Sequence, residues 1–89
     1  MIVQIDRSFE KDTDKIKDRK IRIKIANCIT SIINCNSTQS IKNLKKITGY
    51  NNIFRIRIGD YRLGLIIEDD TVIFVRCLHR KDIYKYFPD

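Results

Sequence analysis

The chain has 89 residues and a mass of 10.6 kDa, which is too short to divide a hydrophobic core between two domains. Hydrophobic residues make up 43% of the chain and charged residues 33%, a composition typical of a compact domain with a heavily charged surface and not of a disordered chain. Eighteen basic and eleven acidic residues give a net charge of +7, which favours a polyanionic partner, either nucleic acid or an acidic protein.

The first part of the chain is predicted to form one strand and two helices. Ile2–Ile5 is a short strand candidate, and Ser8 can cap a helix that begins near Phe9. In that helix the acidic residues precede the basic ones, the order that suits the helix dipole. The next segment alternates like a strand over residues 20–25, but its apolar residues also recur at helical spacing over about four turns. Because this length exceeds that of an ordinary strand, we predict a second helix over residues 20–35 that pairs with the first as a hairpin.

The rest of the chain is predicted to form a loop and an antiparallel meander. The loop covers residues 37–52, and three of its apolar residues should pin it to the core: Ile41, Leu44 and Ile47. After the loop the hydrophobic period changes to two, with turn signals at residues 59–60 and 69–70. The predicted strands are residues 53–58, 61–68 and 71–78, and a short helix or turn follows over residues 81–87.

The register of the first hairpin brings arginines together. If its turn contains two residues, Ile58 lies opposite Tyr61 and Arg57 lies opposite Arg62. Directly opposed like charges destabilise a sheet, and Arg55 adds a third cation on the same face. Stability therefore does not explain this cluster. The other face is nearly uniformly apolar and should pack against the helices; its predicted members are Phe54, Ile56, Ile58, Tyr61, Leu63, Leu65, Ile67, Val72, Phe74 and Leu78.

The face that carries the arginines is predicted to form a shallow basic cleft. Its apolar members are Ile66, Ile73, Val75 and Cys77, and the carboxyl-terminal aromatic residues expected to cover part of them are Tyr84, Tyr86 and Phe87. Arg80, Lys81 and His79 should follow to the rim. Guanidinium groups bind phosphate bidentately and tyrosine rings stack on bases, so this set suits a single-stranded RNA backbone.

Arg76 does not fit this cleft, because strict alternation places it on the apolar face. There it can pair with a helix carboxylate at the end of the sheet. A bulge near the turn at Asp69-Asp70 is the alternative, since it would move Arg76 to the cleft.

The cysteine pattern and the lack of targeting signals favour a reduced cytoplasmic protein without a cofactor. No apolar stretch approaches the ~18–20 residues of a membrane span, and the first six residues lack the features of a signal peptide. Cys28, Cys35 and Cys77 are an odd number, which favours reduced core thiols over disulfides. His79 is the only histidine, and no short metal-ligand spacing is present, so we predict no metal site.

A resemblance extends this interpretation. The segment Leu44-Lys45-Lys46 with Gly49, followed by FRIRIGDYRLGLIIEDDTVIFVRCLHRKDIY from Phe54 to Tyr84, resembles the RelE/ParE superfamily of type II toxin–antitoxin toxins, particularly its RelE branch. The resemblance implies an α+β fold in which an amino-terminal strand and a two-helix hairpin pack on one face of an antiparallel β-meander. It also implies that residues 1–89 form a single toxin domain.

The resemblance further implies an activity. Members of the RelE branch are ribosome-dependent endoribonucleases that cut mRNA, and an antitoxin silences them. The implied chemistry is a metal-independent attack of a ribose 2′-hydroxyl on the adjacent phosphate, which needs positive groups on the phosphate, a proton acceptor and a proton donor. The implied catalytic residues are Arg57, Arg62, Arg80 and Tyr84, and the implied RNA-binding residues are Arg55, Lys45, Lys46, Lys81 and His79. The expected partners are an acidic antitoxin, the ribosome and mRNA.

Several alternatives stay open. Some relatives carry lysine where this chain has Arg55 and Arg57, and arginine is a poor general base, so His79 is a second candidate for the proton acceptor. Tyr86 competes with Tyr84 for the tyrosine position. At the level of function, the alternatives are a ParE-like toxin that acts on DNA gyrase through protein contacts and an inactive module whose cleft only receives an antitoxin.

Overall fold

A five-stranded sheet organises residues 1–88, which are the residues that the computed structural model describes. In chain order the elements are β1 (Ile2–Ile5), α1 (Arg7–Asp14), α2 (Arg19–Ile33), a 3₁₀ turn (Thr38–Ser40), β2 (Leu44–Lys46), β3 (Ile53–Ile58), β4 (Tyr61–Glu68), β5 (Thr71–His79) and α3 (Ile83–Tyr86). The sheet order is β1-β5-β4-β3-β2. β1 runs parallel to β5, whereas the pairs β2–β3, β3–β4 and β4–β5 are antiparallel. The predicted α+β fold with a β-meander is confirmed.

The segment predicted as a loop over residues 37–52 contains two regular elements. Its first part forms the 3₁₀ turn, and residues 44–46 form β2, which pairs with β3 at the edge of the sheet. The prediction of an uninterrupted loop was wrong because a strand of three residues with two lysines is too short to show a hydrophobic period. Ile41 is nevertheless buried, and Leu44 is partly buried against the core.

Both predicted helices are present, and the amino-terminal cap predicted for the first is corrected. α1 begins at Arg7 and is capped by Asp6, whose carboxylate accepts from the backbone N–H of Ser8. The prediction of Ser8 as the cap was wrong, since its hydroxyl instead donates to the Val75 carbonyl at 2.6 Å. In α2 the Asp18 carboxylate accepts from two backbone N–H groups of the first turn, the usual arrangement at a helix start.

The main core lies between the helices and one face of the sheet. Phe9 of α1 contacts Phe74 of β5 edge to face, with ring centroids 5.2 Å apart. Ile25 and Ile32 of α2 are buried against the same cluster, which confirms the helical spacing of the second helix. None of the helices within residues 1–88 is long and apolar enough to cross a membrane. The three cysteines are free thiols, of which Cys77 is buried.

A bulge in β5 changes which residues face the core. Gly64 lies opposite Arg76 and Leu65 opposite Phe74, so Val75 is an extra residue in the ladder. Beyond the bulge the alternation is reversed. Cys77 therefore pairs with Leu63 in the main core, while Leu78 pairs with Arg62 on the opposite face. The predicted positions of Cys77 and Leu78 were wrong for this reason.

Arg76 makes the predicted pair with a helix carboxylate, but the bulge at Val75 places it in the row of Gly64 and Arg55, so its predicted position on the apolar face was wrong. Its Nε donates to Asp12 Oδ2 at 2.7 Å and its Nη2 donates to Asp12 Oδ1 at 3.2 Å. The same carboxylate accepts from the backbone N–H of Cys77 at 2.9 Å. β1 pairs with β5 only as far as Phe74, so Asp12 satisfies an N–H group beyond the end of that pairing. α1 is thereby joined to the sheet through a buried, fully hydrogen-bonded carboxylate.

The carboxyl-terminal segment covers part of the other sheet face with different residues from those predicted. Ile83 and Phe87 are buried and form a second cluster with Ile53. Tyr84 and Tyr86 are 60% and 53% exposed, so only Phe87 of the three predicted aromatic residues acts as a cover. Ile83 and Phe87 are four residues apart, which places both on one side of the helical turn.

Candidate nucleic-acid interface

The hairpin of β3 and β4 has the register predicted for it. Ile58 pairs with Tyr61 and Arg57 pairs with Arg62, while Gly59 in the turn has a φ of +55°, a value that glycine adopts without strain. Side chains of paired residues lie on the same face of a sheet. The two arginines therefore share the face opposite the helices, since the alternate residues of this hairpin are buried in the main core: Ile56, Ile58, Leu63, Leu65 and Ile67.

The edge strand β2 extends this cluster. Lys45 pairs with Arg55, and Arg55 pairs in turn with Gly64. Two adjacent rows of the sheet consequently carry cations on one face. We refer to the surface formed by Lys45, Arg55, Arg57, Arg62 and Arg80 as the basic face.

Arg62 is fixed at the centre of the basic face. Its Nη1 donates to the carbonyl oxygens of Gly59 and Tyr61, both at 2.9 Å. Partial burial lowers the pKa of Arg62 from its ordinary value, and the positive charges of Arg57 and Arg55 lower it further. The part of the lowering that comes from Arg57 and Arg55 reflects mutual repulsion, which a bound anion would relieve.

Arg80 and Tyr84 reach the same centre from the carboxyl-terminal segment. The backbone N–H of Arg80 donates to the Asp60 carbonyl at 2.8 Å, which fixes Arg80 beside the hairpin turn. Its guanidinium lies 3.9 Å from the Asp60 carboxylate, and both side chains are largely exposed. Arg80 and Tyr84 both act on the pKa of Arg62, Tyr84 by raising it and Arg80 by lowering it. Both groups therefore lie within electrostatic reach of Arg62.

Two of the predicted RNA-binding residues, His79 and Lys46, lie away from the basic face. His79 pairs with Tyr61, and their rings meet edge to face at 5.8 Å, so His79 lies on the side that faces the helices. Its Nδ1 accepts from the backbone N–H of Lys81 at 3.2 Å, and the Lys81 side chain is exposed. Lys46 pairs with Phe54, whose side chain packs against the main core. The structure brings Lys45 to the basic face and leaves Lys46 and His79 on the other.

The two candidate tyrosines are separated by the structure. The Tyr86 ring lies over the Arg76 guanidinium, 5.8 Å from the ring centroid, whereas Tyr84 acts on Arg62. Tyr84 is therefore the tyrosine that lies with the predicted catalytic arginines. Because it is 60% exposed, its ring and hydroxyl are available to a ligand.

Sequence reasoning missed three residues that support this arrangement: Asp12, Gly64 and Ile83. For Asp12 a signal was present, because it lies three residues after Phe9 and four before Ile16, which is helical spacing on the buried side. For Ile83 the signal was its spacing of four from Phe87. Gly64 had no such signal, since its role depends on a contact with the distant Phe87 ring.

The geometry of the basic face suits a chain of phosphates. Guanidinium groups donate paired hydrogen bonds in one plane to phosphate oxygens, and several of them along two sheet rows can bind successive phosphates. An exposed tyrosine beside them offers a ring on which a base can stack and a hydroxyl that can donate a hydrogen bond.

Comparison with known proteins identifies relatives across nearly the whole chain. Residues 3–84 match a family model described as the ParE toxin of type II toxin–antitoxin system, parDE. The chain is 45% identical over 89 residues to Toxin RelE3 of Methanocaldococcus jannaschii, an alignment that covers 99% of this chain and 100% of that protein.

Solved structures agree with these sequence matches. The crystal structure of a RelB-RelE antitoxin–toxin complex from Methanococcus jannaschii contains a chain that is 43% identical, with a TM-score of 0.81 and coverage of 96% of this chain and 99% of that one. A chain of the toxin–antitoxin complex RelBE2 from Mycobacterium tuberculosis shares the fold at 23% identity, with a TM-score of 0.69 and coverage of 89% and 96%.

Proposed function

The chain belongs to the RelE/ParE superfamily of toxins of type II toxin–antitoxin systems, and on that premise we propose that it is a ribosome-dependent endoribonuclease that cuts mRNA. The observation that carries the proposal is the direct pairing of Arg57 with Arg62 on the open face of the sheet. Such pairing costs stability in the free protein, so a polyanionic ligand is the most direct reason for it. A protein with this target acts in the cytoplasm, as a single domain of residues 1–89.

The proposed reaction is an internal transfer at one phosphodiester. The ribose 2′-oxygen forms a bond to phosphorus, the bond from phosphorus to the 5′-oxygen breaks, and the products are a cyclic phosphate and a free 5′-hydroxyl. Arg62 and Arg80 stabilise the extra negative charge on the phosphate in the transition state. The 2′-hydroxyl proton passes to water, and the Tyr84 hydroxyl donates a proton to the leaving 5′-oxygen and regains one from water.

The remaining cations bind the RNA chain on either side of the reacting phosphate. Lys45 and Arg55 form one row of the sheet and Arg57 begins the next, so they can contact phosphates along the strand. These contacts carry little sequence information, because phosphates are the same at every position. The position of the mRNA on the ribosome then determines which phosphodiester is cut.

Mapping of mRNA ends after induction of the protein in a bacterial host tests this function. We expect new 5′ ends within coding regions, and a variant with both Arg62→Ala and Arg80→Ala should produce none. Arg19→Ala is the matched control, because it removes a positive charge from the exposed start of α2 and should leave cleavage intact. Intact mRNA with normal translation in the wild type would contradict the proposal.

A second candidate function is favoured by the description of the family model, which names ParE. In this alternative the toxin acts on DNA gyrase through protein contacts and cuts no RNA. Supercoiling and translation measured in the same lysate separate the two functions. Loss of supercoiling with normal translation would favour gyrase as the target.

The proposed protein partner is a RelB-type antitoxin with an acidic segment. The support is the charge of the basic face together with the antitoxin complexes formed by the relatives. Opposite charges accelerate and strengthen such an association, and salt weakens it. Capture of the antitoxin at low and high salt should show weaker binding at high salt, and equal capture under both conditions would argue against an acidic contact.

A further inference from the structure

Tyr84, the tyrosine at the basic face, lies in α3, a helix that is too short to be stable by itself. α3 contains only four residues, and a single helical turn is unstable without tertiary contacts. Its place on the sheet therefore depends on the side chains that anchor it. Ile83 at its start is 0% exposed and Phe87, just after its end, is 4% exposed.

The Phe87 anchor rests directly on a glycine of the sheet. A Cβ atom at Gly64 would lie 2.5 Å from Cδ2 and 2.8 Å from Cγ of the Phe87 ring. Such distances are too short for carbon atoms in contact, so any larger residue at this position would displace the ring. A glycine inside a strand weakens the strand, and close approach of another group is a recognised reason for its presence.

Gly64 also lies at the border between the two parts of this face. On one side it pairs with Arg55 of the basic face, and on the other with Arg76. The Phe87 ring thus contacts the sheet in the row that also carries Arg55. Tyr84 lies on the same helical turn, three residues before Phe87; it is 60% exposed and within electrostatic reach of Arg62.

A second contact, between Tyr86 and Arg76, also holds α3 in place. The Tyr86 ring lies 5.8 Å from the Arg76 guanidinium, which is itself held by two hydrogen bonds to the Asp12 carboxylate of α1. α3 is therefore tied to the rest of the fold by two contacts, that of Phe87 with Gly64 and that of Tyr86 with Arg76.

We propose that Gly64 is a positioning residue for catalysis, because the space left by its missing side chain seats Phe87 and thereby places Tyr84 beside Arg62. This inference rests on the proposed ribonuclease function, in which Tyr84 donates a proton to the leaving oxygen. A displacement of about 1 Å in a catalytic group can reduce turnover by about a hundredfold. Substrate binding through the arginines should change little, since Arg55, Arg57 and Arg62 are placed by β3 and β4. Arg80 is held beside the hairpin turn by its own backbone hydrogen bond to the Asp60 carbonyl.

The first test is the kinetics of Gly64→Ala on ribosome-bound mRNA. We expect kcat to fall about a hundredfold with KM changed less than threefold. In a Tyr84→Phe background the same substitution should cause no further loss, because the group it displaces no longer donates. A full additional loss in that background, or wild-type kcat in the single variant, would overturn the inference.

Two further variants separate positioning from loss of the fold. Phe87→Ala removes the ring while keeping Gly64, and we expect the same loss of kcat. Val72→Ala, at a fully buried site of the main core, lowers stability without touching α3 and should keep wild-type kcat per folded molecule. An equal loss of kcat in Val72→Ala would show that the effect is one of general stability.

A crystal structure of Gly64→Ala tests the inference without any activity. We expect the Phe87 ring to be displaced and the Tyr84 hydroxyl to lie farther from the Arg62 guanidinium, with β3 and β4 unchanged. An unmoved α3 overturns the positioning role. Absence of mRNA cleavage by the wild type would instead contradict the proposed function, so the two failures are distinguishable.

Discussion

The two faces of the sheet differ in how their charged side chains are paired. On the helix-facing side, Leu63 and Phe74 are fully buried, and the buried carboxylate of Asp12 accepts hydrogen bonds from both Arg76 and Cys77. On the basic face, Arg57 and Arg62 lie directly opposite each other. Polar groups are thus fully paired where the fold needs stability, and like charges are held together where a ligand is expected.

The basic face also differs from the apolar surface that continues it. Ile53, Ile83 and Phe87 form a small second core on the same side of the sheet, and Leu78, which pairs with Arg62, also packs against it. Beside this core the cations of the basic face are partly or fully exposed. The carboxyl-terminal segment therefore covers one part of this sheet face and leaves the cations accessible to a ligand.

Leu63→Ala gives the largest expected effect and acts on the helix-facing side alone. Leu63 is 0% exposed in the main core, so its truncation should lower the free energy of unfolding by about 2–5 kcal/mol. Urea denaturation followed by circular dichroism measures this change. Cleavage per folded molecule should stay at the wild-type level, and a selective loss of activity would break the division between the faces.

Arg62→Ala should give the reverse result. Removal of a group that stabilises transition-state charge is expected to lower kcat by about 10²–10³-fold. Stability should stay equal or rise slightly, because the repulsion from Arg57 and Arg55 that lowers the pKa of Arg62 is removed. Single-turnover cleavage and urea denaturation of the same preparation check both results. A large loss of stability would show that Arg62 is mainly structural.

Alkaline pH should lower the free energy of unfolding through the buried thiols on the helix-facing side of the sheet. Burial raises the pKa of Cys77 to about 12 and that of Cys28 to about 11, from an ordinary value of 9.0. Because the folded protein then holds these protons more tightly than the unfolded chain does, the stabilisation is complete below pH 9 and is lost as pH rises from 9 towards 12. Unfolding measured from pH 8 to 11 should show a smaller decline for Cys77→Ala than for the wild type. Equal slopes would contradict this assignment.

Features that depend on local sequence signals could be predicted from the sequence, whereas features that depend on contacts between distant residues could not. The pairing of Arg57 with Arg62 followed from a two-residue turn and a period of two, both of which are local signals. The positions of Cys77 and Leu78 did not, because a bulge at Val75 reverses the alternation and no residue type in that strand marks it. The approach of Phe87 to Gly64 joins residues 23 positions apart in sequence, and no periodic pattern reports such a contact.

The smallest expected effect concerns the salt dependence of RNA binding. Arg57 is exposed on the basic face and is proposed to contact one phosphate of the strand. Neutralising it in Arg57→Gln should weaken binding of single-stranded RNA uniformly across sequences and reduce the slope of log affinity against log salt by about 0.7.

Lys46→Gln is the matched comparison for this measurement, because Lys46 lies in the neighbouring strand but pairs with Phe54 on the side of the main core. The salt slope of Lys46→Gln should equal that of the wild type, since its charge does not lie on the basic face. Fluorescence anisotropy with a labelled, non-cleavable oligonucleotide between 50 and 200 mM salt, roughly the range over which phosphate contacts change affinity strongly, gives both slopes. Equal reductions for the two variants would mean that net charge, and not the register of β3 with its neighbours, determines where RNA binds.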